Sequence, residues 1–235
     1  MLGDCRTALS CSHCHDPHGE DSREHLDSLA GAPGDRLCTS CHRALAEPGV
    51  ARAHTHHAPD SAGSRCLNCH MPKKNLGLAY QLTRYHRIVS PTDTARVERD
   101  RPLECALCHA DKSVEQIVKT MERWYSRRYD RALLQQLYGA DLTISPLRAT
   151  LLGGLPHEQA VAAAAAAENQ REDLLPLVTS VLESDYPLVR YFAKRAAEQL
   201  AHAPLPVDPG APRAEIARAI QAWNRTRPPA SSDAH

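Results

Sequence analysis

The stretch CSHCHDPH, residues 11–18, sets two cysteines and three histidines within eight positions. A zinc ribbon would use some of these groups, a redox-active dithiol others, and a covalently attached porphyrin others again. The remaining cysteines decide among them. There are nine: Cys5, Cys11, Cys14, Cys38, Cys41, Cys66, Cys69, Cys105 and Cys108. Eight fall into C-x-x-C pairs, and a histidine follows each pair at once, in CSHCH, CTSCH, CLNCH and CALCH. Zinc gives no reason for that histidine. With 14 histidines in 235 residues, four such coincidences have a chance probability on the order of 10⁻⁵, so the spacing reads as haem c attachment.

The chemistry explains the spacing. Two thiols add across the two vinyl groups of one porphyrin, and the adjacent imidazole becomes the proximal iron ligand. Four haem c groups are therefore expected on Cys11/Cys14, Cys38/Cys41, Cys66/Cys69 and Cys105/Cys108, with His15, His42, His70 and His109 proximal. Cys5 is the odd cysteine, read as an unpaired thiol.

Composition points the same way. The first 110 residues hold Tyr80 and Tyr85 but neither Trp nor Phe. So few aromatics leave a segment of that size short of an ordinary core. Haem packing would fill the gap, and without haem this half is expected to be largely unfolded.

The 28 basic and 28 acidic residues cancel, which gives no electrostatic reason for nucleic acid as a partner. Haem propionates would make the assembled domain more acidic, and Arg84, Arg87, Arg96, Arg99 and Arg101 could answer them by bidentate pairing. No apolar run approaches the roughly 18 residues of a membrane span. The opening MLGDCRTALS has neither the basic start nor the apolar stretch of a signal peptide. Haem c attachment in bacteria occurs outside the cytoplasmic membrane, so a periplasmic or extracellular location is expected all the same. LGDC departs from a lipobox at Asp4, where a small residue belongs; peripheral membrane association stays compatible with the sequence.

Beyond Cys108 the pattern turns helical. Ser113 and Gln116 form a capping box ahead of Val114, Ile117, Val118, Met121, Trp124 and Tyr125 at helical spacing. Shorter helices follow around Leu133–Leu137, with Gly139 as the stop, and from Pro146. PHEQAVAAAAAAE, residues 156–168, is built on six consecutive alanines. EDLLPLVTSVLES and YPLVRYFAKRAAEQLAH read as one HEAT-type helical hairpin that needs neighbours to bury its faces. A last helix near 213–226 carries Trp223. The expected fold is thus mainly α with large irregular content and little or no β-sheet. It divides into a haem-packed cytochrome domain (1–112), a cofactor-free helical HEAT-like domain that docks partners (113–228), and a flexible tail (229–235).

HTHHAPDSAGSRCLNCHMP (54–72), RYHRIVSP (84–91) and CALCHADKS followed by WYS (105–113 and 124–126) together resemble a family of exported multihaem c-type cytochromes with a HEAT-like helical C-terminal half. CSHCHDPHG resembles the doubled C-x-x-C-H motif of multihaem electron carriers. The resemblance covers residues 11–138 and, less closely, SDYPLVRYFAKRA (184–196). It implies electron transfer outside the cytoplasm, with distal haem ligands at His18, at one of His54, His56 and His57, and at His86. We take His57 as the first choice of its cluster, with His54 and His56 as alternatives. Spacing agrees for His18: three residues past His15 it cannot cross to the far face of its own haem, but it can reach the iron of a neighbour. The family's histidine upstream of the first motif has no counterpart here, and His25 or a second histidine of HTHH is expected to fill that place. His13, inside the attachment loop, is not expected to ligate.

Two functional classes follow. One is an electron-transfer protein with bis-histidine haems, acting as a carrier or as a subunit of a larger cytochrome complex or filament. Its partners would be redox proteins, other cytochromes or identical subunits. The alternative is a multihaem oxidoreductase with one five-coordinate haem acting on a small nitrogen or sulfur oxyanion. No acid–base constellation marks a catalytic centre, so the first class is preferred. Pyridine haemochrome analysis and intact mass should return four haems per chain; fewer haems, or bound zinc, would contradict the reading.

Overall fold

The computed structural model describes residues 9–16, 18, 22–77 and 79–226; Cys5, the expected 229–235 tail and His235 lie outside them. Among the described residues there are twelve α-helices and one two-stranded β-hairpin, separated by long irregular stretches. The fold is mainly α with little β, as motif spacing and helical periodicity lead one to expect. The helices are α1 (Arg23–Ala30), α2 (Ala32–Thr39), α3 (Pro48–Thr55), α4 (Cys66–His70), α5 (Thr94–Val97), α6 (Val114–Tyr125), α7 (Arg131–Tyr138), α8 (Pro146–Gly153), α9 (Pro156–Glu168), α10 (Leu175–Val181), α11 (Pro187–Ala201) and α12 (Arg213–Thr226). Strands β1 (Lys73–Leu76) and β2 (Leu82–Arg84) pair as the hairpin. No helix is long and apolar enough to cross a membrane.

Backbone contacts gather the chain into two compact units that interleave along the sequence. The first comprises Met1–Asn75, Thr83–Val97 and Thr120–Arg128; the second comprises Leu76–Leu82, Glu98–Lys119 and Tyr129–His235. The expected division at 112 separates the motif-bearing segment from the motif-free one. The units follow packing instead, and Cys105–His109 groups with the helices.

In the first unit, α1 and α2 form a tight hairpin. Ser22 caps α1 by accepting the His25 N–H, and Pro33 sits in the opening turn of α2 where no amide is needed. Gly34 is buried against the end of α1: a Cβ there would fall 1.9 Å from the Leu29 carbonyl oxygen, so only glycine lets the two backbones meet. Side-chain packing contributes little here. Among the described residues before Leu82, no hydrophobic side chain is fully buried, and Leu26, Leu37 and Val50 are each at least 39 % exposed. Val97 and Met121 are buried, but these three apolar side chains near the attachment motifs are turned outward, where a planar apolar cofactor could cover them.

The second unit has the core that the first lacks. The Ser113–Gln116 capping box forms as its sequence dictates: Gln116 N–H donates to Ser113 Oγ at 3.1 Å, and Gln116 Oε1 accepts the Ser113 N–H at 2.9 Å. Val114, Ile117 and Val118 are buried along α6. Helices α8 and α9 form one antiparallel hairpin and α10 and α11 a second. The hairpins stack with α9 along α11 and α8 beside α10. Alanine makes α9 the centre of this stack, because Ala160, Ala162, Ala163, Ala165, Ala166 and Ala167 are all buried and let neighbouring helices approach closely. Phe192, Leu200, Ile216 and Trp223 close the core. Arg190, buried at the start of α11, donates to the carbonyls of Ser184, Pro209 and Ala211, which ties the α10–α11 turn to the 203–212 connector.

Among the described residues, a buried ion pair joins Arg101 to Glu158. Arg101 Nη2 lies 3.0 Å from Glu158 Oε2, with side chains only 11 % and 5 % exposed. Glu158 also accepts the Leu155 N–H at 2.7 Å, and Arg101 donates to the Leu137 carbonyl. Removing one partner strands a buried charge. Glu158→Ala should therefore lose about 3–5 kcal/mol of unfolding free energy, measured by urea denaturation followed through far-UV circular dichroism. A loss below about 1 kcal/mol would show that the pair is relieved by water.

Candidate haem attachment sites

Each C-x-x-C-H segment folds into one helical turn. His15 N donates to Cys11 O at 2.8 Å, His42 N to Cys38 O at 2.9 Å, and His109 N to Cys105 O at 2.9 Å; residues 66–70 close the same turn as helix α4. In such a turn, positions i, i+3 and i+4 share one face. Both thiols and the imidazole thus project to the same side, which is the disposition that attachment through two thioethers and one axial bond requires. The donor set suits haem; among the described residues, no three or more His, Cys, Asp or Glu side chains converge as a metal site. A zinc ribbon would need four.

Asp35 joins the second motif to the third. It stands three residues before Cys38 on α2 and accepts the Cys66 N–H at 2.9 Å, capping α4, while Arg65 Nη1 pairs with its other oxygen at 2.9 Å. The neighbouring Cys66 thiol draws the Cys38 thiol down to about 7, whereas Cys38, burial and Asp35 push Cys66 up. At the other end of α4, Arg84 donates to the carbonyls of Leu67 (2.8 Å) and Met71 (3.1 Å) and to Asn68 Oδ1 (2.8 Å). Arg84 is thus spent on holding the motif rather than on the propionate pairing expected of it, and Arg101 is likewise occupied by Glu158. Arg87 and Arg96 lie over the Tyr85 ring, 5.7 and 5.2 Å from its centroid. Sequence reading missed Asp35 and the capping role of Arg84. The i, i+3 relation of Asp35 to Cys38 was a legible signal; the long-range reach of Arg84 was not.

Two pairs of imidazoles face each other. The His15 and His86 ring centroids are 6.1 Å apart with planes tilted by 35°. Those of His54 and His70 are 6.0 Å apart with planes within 9° of parallel. Three rings are oriented by backbone carbonyls. His57 Nδ1–H donates to Thr55 O at 2.6 Å, His70 Nδ1–H to Val89 O at 2.7 Å, and His86 Nδ1–H to Arg84 O at 3.0 Å. A proton held on Nδ1 leaves the lone pair on Nε2, the nitrogen that binds iron. Desolvation and the neighbouring imidazoles of His70, His56 and His42 hold His54 below the usual histidine range, so its ring is neutral at neutral pH.

Other histidines are placed differently. His25 uses Nε2 to donate to Cys14 O at 2.8 Å, which puts the proton on that nitrogen. His13 has the opposite tautomer from a ligand, since Nδ1 accepts the Ser10 N–H at 3.0 Å. The HTHH cluster splits three ways. His54, the alternative rather than the first choice, stands opposite His70. His56 caps α3 in the left-handed region (φ 56°) and stacks on Trp124, 4.5 Å between centroids. His57 lies against Gly63, where a Cβ would come within 2.2 Å of its ring. Trp124, which follows the helical spacing of α6, is 37 % exposed and belongs to this aromatic contact. His18 is exposed, its N–H bonded to Asp16 Oδ1 at 2.9 Å.

A family model for the doubled CXXCH motif matches residues 6–47, spanning the first two attachment turns. No curated protein and no solved structure matches the chain. The matched motif and the common turn geometry agree on the chemistry: this chain carries motifs that bind haem c covalently, which supports a c-type cytochrome working in electron transfer.

Proposed function

We propose that the protein is a tetrahaem electron-transfer cytochrome, acting outside the cytoplasm as a carrier or as a subunit of a larger cytochrome assembly. The 6 Å separation of facing imidazoles carries the reading. The His15–His86 and His54–His70 ring centroids are 6.1 and 6.0 Å apart, and these two imidazole pairs would hold the iron of two haems. Each haem, when bound, supplies a one-electron couple at low potential because neither axial group is methionine. The chain's own contribution is orientation. Val89 O and Arg84 O fix the tautomers of His70 and His86, and Asp35 and Arg84 grip the α4 turn from both ends.

His42 and His109 are the remaining proximal residues, and His18 and His57 are the distal candidates that the tautomers and positions leave in play. The exposed apolar groups of the first unit would then pack on porphyrin. The stacked hairpins α8–α9 and α10–α11 support the HEAT-like description of the C-terminal half, whose outer face would dock redox proteins, other cytochromes or identical subunits.

Carbon monoxide tests the ligand pairs. The reduced wild type should bind none, since every iron is six-coordinate. His54→Ala and His86→Ala should each open one haem in four to carbon monoxide and produce a matching high-spin signal in the oxidised protein. A wild type that binds stoichiometric carbon monoxide would favour the oxidoreductase reading. Variants that remain closed would break the pair assignment.

A further inference from the structure

The fourth attachment turn is built unlike the other three. Cys105–His109 belongs to the helical unit, and its two faces are chemically distinct. Ala106 and Ala110, at i and i+4, are 0 % and 3 % exposed, and Leu107 packs against the same core as α9 and α11. Cys108 and His109 point outward. The turn is therefore seated on the helical stack by its apolar side and presents its haem-binding side.

Two side chains from the end of α9, more than sixty residues away, hold its backbone. Asn169, the C-cap of α9, donates from Nδ2 to Leu107 O at 2.8 Å as well as to Ala165 O at 2.8 Å. The chain then reverses through Gln170 in the left-handed region (φ 54°), with Arg171 N bonded to Ala166 O at 2.9 Å. That reversal aims Arg171 at the turn, where Nη1 donates to Ala110 O. Asp173 fixes the guanidinium from behind, Nε–Oδ1 2.7 Å and Nη2–Oδ2 2.8 Å, in the bidentate form that sets its plane. The two carbonyls so held, Leu107 O and Ala110 O, bracket Cys108 and His109. Every buried backbone acceptor needs a donor, and here the helical half supplies both.

We propose that Asn169 and Arg171 are positioning residues for the fourth haem, and that the C-terminal helical half is the scaffold of that haem in addition to offering an outer face for docking. The proposal rests on the tetrahaem reading above. It distributes the haems three to the first unit and one to the second, with the orientation of His109 set by the end of α9.

The test uses full-length holoprotein carrying Asn169→Ala, Arg171→Met, or both, with Arg171→Lys as the conservative variant. Peptide mass mapping of the wild type first establishes haem on Cys105/Cys108; its absence would refute the tetrahaem reading itself. With haem present there, potentiometric titration of each variant should shift one of the four one-electron components and leave three unmoved. Reduced Arg171→Met should also bind carbon monoxide at no more than one haem in four. Lysine at 171, which can still donate to Ala110 O, should return the shifted component toward its wild-type position. Circular dichroism confirms that the helices persist; if the double variant loses them, the single variants decide. Four unchanged components, or four that move together, would overturn the proposal.

Discussion

The hydrogen bond from the histidine amide to the carbonyl of the first cysteine, four residues back, sets the geometry on which the rest depends. Without it the C-x-x-C-H segment is a loop with two thiols and an imidazole in no fixed relation. With it, three reactive groups share one face and address one planar ligand. Everything else in the first unit steadies those turns: Asp35 at one end of α4, Arg84 at the other, and carbonyls behind His70 and His86. Polar contacts dominate because the turn must keep its apolar and nucleophilic side available for the cofactor.

The two units consequently solve stability by different means. The second follows the usual rule, in which leucine, valine and alanine are withdrawn from water and the stacked helices enclose them. The first buries few apolar side chains, leaves Leu26, Leu37 and Val50 exposed, and relies on capping, ion pairing and one glycine-mediated backbone contact. A chain segment organised in that way has little to gain from collapsing on itself. We propose that its folding is coupled to acquisition of an apolar partner, much as small metal-binding domains take their folding energy from the metal.

Most of this was legible in the sequence because local rules governed it. Motif spacing gave the four turns, and periodicity with Ser113, Gly139, Pro146, Pro156 and Pro187 gave the helical boundaries nearly to the residue. The limits appeared wherever position depends on tertiary reach. Which imidazole of HTHH faces His70 is decided by the end of α3 and the left-handed turn at His56, not by spacing. Trp124 satisfies the helical period and yet lies outside the stripe, because the buried positions end at Met121 and an aromatic partner waits outside. The grip of Asn169 and Arg171 on Leu107 and Ala110 spans about sixty residues of sequence, beyond the reach of any local pattern.

Gly34 has a consequence for how this sequence can drift. In a unit whose side chains seldom interlock, most surface positions can be exchanged without disturbing a neighbour. Position 34 cannot, since even a methyl group would collide with rigid main chain at Leu29 rather than with a side chain able to swing aside. The haem-bearing segment thus combines wide mutational tolerance with an absolute veto at one small residue. Across related chains, the spacing between that glycine and Cys38 should be inherited as tightly as the attachment motif itself.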